Sequence, residues 1–413
     1  MTKSDIHDSH PVVVIGAGPS GLATAAMLRR AHVPVVVIER ADRIGNGWRA
    51  HYDHLRLHTP RRLSSLPGFP VPRSAGTWVT RDDWATYLER YAVHHRLDVR
   101  TGTHVQRVTL SRPGADSTTA EWLVDAGHEV LTARAVVLAT GRNHTPHLPD
   151  WPGAESFTGR LLHSKDYRHP ASYRGRQVLV VGAGNSGTEI AVALSRAGAA
   201  RVWLSVRAAP NIVPKNSSRW QAAGIWARRL PPAWGDGATR LIRRLLLPDL
   251  SAHGLPLPEE GLYTRSAREE TSPVHDRGIV AAVLDGLVQP VAETTRFQGA
   301  LVHLSDGTVL APDVVIAATG YRTGLEDLIG AADMLGAKGL PLVTGARTCP
   351  DAPGLFFAGF GNPLHGALYQ AGVDARRIAR AISCTGAQAR SPIPGPRPRS
   401  RSRSRSRQEM QRT

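Results

Sequence analysis

Residues 11–40 read PVVVIGAGPSGLATAAMLRRAHVPVVVIER: an unbroken apolar run, a glycine turn, an alanine-rich stretch of helical length and a second apolar run. A strand needs an unbroken Val/Ile run when both its faces are covered, as in a parallel sheet flanked by helices. The pattern therefore predicts strand, tight turn, helix, strand, which is one βαβ unit. The chain uses it twice, because 177–207 read QVLVVGAGNSGTEIAVALSRAGAARVWLSVR. Two further apolar runs end alike, VVLATG at Val136–Gly141 and VVIAATGY at Val314–Tyr321, and each follows a stretch of hairpin character, 104–135 and 289–312. The expected fold class is α/β with two Rossmann-type units, the second inserted in the first. The expected boundaries are 8–165 for the first part of the first domain, 170–318 for the second domain and 319–386 for the return. Residues 216–275 break the pattern and are expected to be a helical insertion, with a basic amphipathic helix near 237–247. Such a helix suits a channel wall, a lid or a membrane surface.

The turns carry the chemistry. Gly16-Ala17-Gly18-Pro19-Ser20-Gly21 is a GxGxxG that follows a strand and opens a helix. In that context the first glycine allows the tight turn, the second lets a pyrophosphate approach the backbone, and the third allows close helix–strand packing. The helix amides and dipole then face the phosphates. Glu39 ends the next strand, where a carboxylate can hold ribose hydroxyls, and Arg40 stands beside it. The second loop is Gly182-Ala183-Gly184-Asn185-Ser186-Gly187, and its following strand ends in Arg207 instead of an acid, with Lys215 eight residues on. A carboxylate there would repel a 2′-phosphate, whereas a guanidinium binds it bidentately. The first domain is therefore expected to hold FAD and the second NADPH. Trp48, Val105, Thr140, Gly320 and Gly359 complete the expected cofactor-binding set.

Composition removes several classes. Cys349 and Cys384 are the only cysteines and form no CxxC, so a disulfide reductase, which needs a redox pair beside its flavin, is disfavoured. The formal charge is +17, and the stretch from Arg390 onward contributes about +7 of it through eight arginines against one glutamate. This Arg/Ser/Pro-rich tail, 387–413, has too little apolar content to fold by itself. No specific nucleic-acid partner is expected, because nothing in the body of the chain reads as an RNA-binding motif. No apolar run reaches the length of a membrane span, and the polar start MTKSDIHDSHP lacks the pattern of a signal peptide. A cytoplasmic protein without a metal is expected, and a homodimer is compatible with the sequence.

Taken together, these residues resemble the class B flavin monooxygenases. Phe157–Tyr167, FTGRLLHSKDY, is similar to that family's FxGxxxHxxxY/F fingerprint and precedes the second glycine loop, as in the family. ATGY at Ala318–Tyr321 is similar to its second signature. The stretches GWRAHYDHLRLHTPRRLSSLPGFP at 47–70 and GLFFAGF with DARRIARAI at 354–382 resemble the flavin-containing and YUCCA-like branch. The resemblance covers about 10–385. It implies that NADPH reduces FAD, that reduced flavin and dioxygen form a C4a-(hydro)peroxyflavin, and that one oxygen atom enters a small organic substrate. It implies an aromatic 2-oxo acid such as indole-3-pyruvate, or a natural-product intermediate. It also implies that His163 orients NADP in the linker, with Thr59 and Asn143 near the flavin. Where many relatives place an asparagine amide over the flavin, this chain offers His58-Thr59, which departs from amine and sulfide oxygenation. The alternative is an NADPH oxidase or quinone reductase that uses the same cofactors without oxygenation.

Overall fold

A computed structural model describes residues 10–113, 120–214, 232–269, 272–330, 332–336 and 338–390. The first apolar run is β1 (Val12–Ile15), buried at all four positions. It leads into α1 (Pro19–Arg30), which opens on a proline in its first turn, where an amide hydrogen would be unused. β2 (Val35–Ile38) pairs parallel with β1 from Val12↔Val35 to Ile15↔Ile38. α2 (Arg81–His94) is capped by Thr80, whose side chain accepts from the Asp83 amide. β3 (Val99–Arg100) and β4 (Ala135–Leu138) extend the sheet, and a three-stranded antiparallel sheet over Arg107–Pro113, Ala120–Asp125 and Val130–Ala133 lies between them in sequence.

The second sheet starts at β5 (Arg160–His163) and continues through β6 (Gln177–Val181), α3 (Asn185–Arg196) and β7 (Arg201–Ser205). α4 (Pro232–Leu246) and α5 (Leu262–Glu269) come next, then β8 (Gln289–Val291) and β9 (Val314–Ala317). β10 (Leu355–Phe357) then pairs with β4, and α6 (Ala367–Arg390) packs on α1. The strand orders are β10-β4-β1-β2-β3 and β8-β7-β6-β9-β5. Both sheets bury both faces. Val12 and Val14 point into a core with Leu22, Trp84 and Ile378, whereas Val13 and Ile15 point into one with Trp122, Leu325 and Phe357.

Arg160–His163 corrects the expected boundary at 165. This strand pairs with β9 from Arg160↔Val314 to His163↔Ala317 and so closes an edge of the second sheet. The short, half-polar run RLLH carries no periodicity strong enough to assign it to a sheet from sequence. Within the expected insertion, the helix begins at Pro232 instead of near 237, and it exposes Trp234, Leu241 and Leu245. Ile212–Pro214 and Val274–Asp276 pair parallel at its base. α6 runs to Arg390, past the expected end at 386. Lys215 and the tail from 391 lie outside the described residues. Among the described residues, no helix is long and apolar enough to cross a membrane.

The two cores meet at one segment. Trp48 packs against both, and Tyr52 and Leu55, which follow it, are buried in the core of the second sheet with Val178, Ile190 and Leu204.

Candidate functional site

Both glycine loops sit at the carboxyl ends of central parallel strands, where an open α/β sheet binds its ligands. Their geometries repeat. Gly16 and Gly182 have φ of +107° and +110°, and a Cβ on either would strike the backbone of Ala139 or Ala318. A Cβ on Gly21 or Gly187 would strike the carbonyl of its own loop's first glycine. At Gly18 and Gly184, by contrast, a Cβ would meet nothing within 4 Å. Each loop therefore leaves an open cradle at a helix N-terminus, the shape a dinucleotide pyrophosphate requires. Beside the first cradle, the Oγ1 of Thr140 is buried without a partner among the described residues. Such an orphaned hydroxyl is costly unless something completes it, and a bound cofactor would do so.

Glu39 is a strut of the first loop. Its Oε2 accepts from the Ala17 amide at 2.7 Å and its Oε1 from the Ala41 amide at 3.0 Å. Each carboxylate oxygen has a lone pair left for a ribose hydroxyl. Arg40, beside Glu39, has Nη1 2.7 Å from Nε2 of His144. Burial, followed by this guanidinium, lowers the His144 pKa. Val105 is buried in the core under the antiparallel sheet, and Asn143 is exposed. Thr59 bonds the Ser64 hydroxyl at 2.7 Å and packs its methyl against Gly366. Gly359 has φ +82° and packs on the Ser20 side chain, while Gly320, at φ +89°, borders open space.

A cleft of about 640 Å³ opens over the second loop. Arg207 lines it, its side chain 82% exposed and 3.9 Å from Glu293. Two further cations, Arg265 of α5 and Lys338, line the same cleft. Sequence reading missed both, because each lies far along the chain in a segment without a motif. Asn185 does not face this cleft freely. Its amide donates to the Pro273 carbonyl and its carbonyl accepts from the His275 amide, both at 2.9 Å, which ties the loop to the strand at Val274–Asp276.

His163 is 3% exposed. The Lys165 amide donates to its Nδ1 at 3.1 Å, so Nε2 carries the proton and donates to the Gly320 carbonyl at 3.0 Å. Burial lowers its pKa and keeps the ring neutral. It therefore joins the linker to the ATGY turn, through the Gly320 carbonyl, which borders the cleft, and through an edge-on contact with the Tyr321 ring at 4.9 Å between centroids.

Glu189, Tyr52 and Arg277, none of which the sequence singled out, form a buried polar cluster with His58. Glu189 of α3 is met by the Tyr52 hydroxyl at 2.8 Å, by His58 Nε2 at 2.8 Å and by Arg277 Nε at 3.2 Å. Burial pushes its pKa up, but the hydrogen bond and charge of His58, then Arg277, outweigh that and hold it below the ordinary carboxylate value. His275, stacked on His58 with ring centroids 5.4 Å apart, is driven down to about 3, first by burial and then by the charges of His58 and Arg277. The only signal in the sequence was an acid in an otherwise apolar helix face.

Residues 13–223 match the family model described as pyridine nucleotide-disulphide oxidoreductase. Cys349 and Cys384 are both free. It is 33% identical over 378 residues to indole-3-pyruvate monooxygenase YUCCA1 of Oryza sativa subsp. japonica, spanning 90% of this chain and 91% of the relative. Among solved structures it is similar to the flavin-containing monooxygenase from Stenotrophomonas maltophilia, with TM-score 0.67, 27% identity and coverage of 91% and 98% of the two chains. The fold also matches OTEMO, solved in complex with FAD and NADP, with TM-score 0.65, 17% identity and coverage of 92% and 85%. With an open cradle at each glycine loop and likeness over nine-tenths of its length to monooxygenases, the chain belongs to the class B flavin monooxygenases, on their YUCCA-like side, as an oxidoreductase that uses FAD, NADPH and dioxygen.

Proposed function

We propose that this enzyme oxygenates a small aromatic 2-oxo acid, with indole-3-pyruvate the first compound to try. The observation that carries the proposal is collinear likeness over nine-tenths of both chains to enzymes named for that substrate. The reaction converts R–CO–COOH, O₂, NADPH and H⁺ into R–COOH, CO₂, NADP⁺ and H₂O. One oxygen atom enters the new carboxyl group and the other leaves as water.

In this reading the first cradle, with Gly16, Gly18, Pro19, Ser20, Gly21, Glu39 and Thr140, holds FAD. The second, with Gly182, Gly184, Ser186 and Gly187, holds NADPH, and Arg207 meets its 2′-phosphate. Bound FAD supplies the redox and oxygen chemistry. The protein binds both nucleotides, orients them and keeps water away. His163 acts as a positioning residue, holding the Gly320 turn against the linker. The second unit is an insertion in the first, a layout supported by the return of β10 to pair with β4. We place the enzyme in the cytoplasm.

The test is NADPH consumption with indole-3-pyruvate under ¹⁸O₂ with catalase present, because free hydrogen peroxide itself decarboxylates a 2-oxo acid and would carry the label into the product. Oxygenation gives one ¹⁸O in the product acid per NADPH consumed. NADPH consumption without labelled acid would instead favour an NADPH oxidase.

A further inference from the structure

The segment after Trp48 is held from two sides by residues of the second unit. On one side, Arg168 donates through Nη1 to the carbonyls of Arg49, Ala50 and His51, and its own carbonyl accepts from the Asp53 amide. On the other, Arg277 donates through Nη2 to the carbonyls of Arg56 and Leu57 at 2.8 and 2.9 Å. Glu189 stands between these contacts, 5% exposed, and takes the Tyr52 hydroxyl, His58 and Arg277 at once. Glu189 itself lies in the first turns of the helix that opens at the second glycine loop, four residues from Asn185. One carboxylate thus joins the Trp48 segment, which packs on the core of the first sheet, to the helix that begins at the second cradle.

Apolar side chains of similar volume would hold these surfaces together at lower cost, because burying a carboxylate is expensive even when it is paired. What a buried, fully bonded charge adds is a single allowed register between the surfaces it joins. Hydride and oxygen transfer are sensitive to displacements of about 1 Å. We propose that Glu189 is a positioning residue that sets the register between the two nucleotide cradles by clamping 49–58 against α3. The inference rests on FAD in the first cradle and NADPH in the second. A loosened register still lets NADPH reduce the flavin, but reducing equivalents are lost as NADPH + H⁺ + O₂ → NADP⁺ + H₂O₂.

The test compares the FAD-loaded wild type with Glu189→Gln, which keeps the size but loses the charge and one acceptor oxygen, and with Tyr52→Phe, which removes one hydroxyl. Two quantities are measured: hydrogen peroxide released per unit time with NADPH and no organic substrate, and amide hydrogen exchange across 51–58. For Glu189→Gln we expect peroxide release to rise about tenfold, with faster exchange in that segment and unchanged FAD content. Tyr52→Phe should shift both the same way by less, and it carries the test if Glu189→Gln does not fold. Faster exchange with peroxide release at the wild-type rate would make Glu189 merely structural and overturn the proposal, as would no change in either quantity. Anaerobic NADPH failing to bleach wild-type flavin would overturn the cofactor assignment beneath it, which separates that failure from a failure at Glu189.

Discussion

Replacing Arg207 with alanine tests how the second cradle chooses its nucleotide. The Arg207 side chain is 82% exposed and its Nε lies 3.9 Å from Glu293. In the free protein this ion pair contributes little, since exposed pairs give about 0–1 kcal/mol. Removing it should leave the melting temperature nearly unchanged. A 2′-phosphate in the cleft would turn the guanidinium into a charge-assisted, bidentate contact, worth roughly 1.5–3 kcal/mol. At about 1.4 kcal/mol per tenfold, Arg207→Ala should weaken NADPH binding about 10- to 150-fold. NADH lacks the 2′-phosphate and should bind as before. Glu293 repels the same phosphate, so Glu293→Gln should tighten NADPH a few-fold and leave NADH alone. The assay is nucleotide titration of the FAD-loaded enzyme, together with kcat/KM for both coenzymes. Equal losses for NADPH and NADH in Arg207→Ala would refute the reasoning, because they would show the arginine holding the cleft's shape and not reading the phosphate. A residual NADPH preference would instead be assigned to Arg265 and Lys338, which line the same cleft.

Gly18→Val should fold, since the new side chain enters open space, yet the purified protein should be colourless; a fully yellow variant with bound FAD would contradict the first cradle. Gly21→Val should fail to fold at all, because its Cβ meets the Gly16 carbonyl, and soluble yield is the readout. His275, with a pKa near 3 against an ordinary 6.5, stays neutral in the fold while the unfolded chain takes a proton. Its contribution to stability is therefore whole above about pH 6.5 and falls as pH drops from there towards about 3, reaching a loss of roughly 2 kcal/mol at pH 5. His275→Phe keeps a ring over His58 and should lose less stability between pH 7.5 and pH 5 in thermal melts; an identical loss in both proteins would show that the ring is protonated while folded.

The apolar runs determined the two units by themselves. A parallel strand covered on both faces must be continuously hydrophobic, so Val12–Ile15, Val35–Ile38, Gln177–Val181 and Val314–Ala317 announced themselves, and the loops between them announced nucleotide cradles. Residues within one turn of those strands, such as Gly18, Glu39 and Gly184, were legible for the same reason: the strand ends and the helix starts at a fixed spacing. Tertiary structure decided what depends on distant segments meeting. Arg160–His163 joined the second sheet because β9 offered an unpaired edge, which no local pattern encodes. Asn185 and Arg40 bond Pro273, His275 and His144, partners that lie far from them in sequence. Lys338 came to the second cleft from the chain's return, after the second unit was complete. Glu189, His58, Tyr52 and Arg277 lie up to 225 residues apart and carry no shared spacing. Only the packing of one unit on the other buries that carboxylate, and only burial makes its hydrogen bonds obligatory.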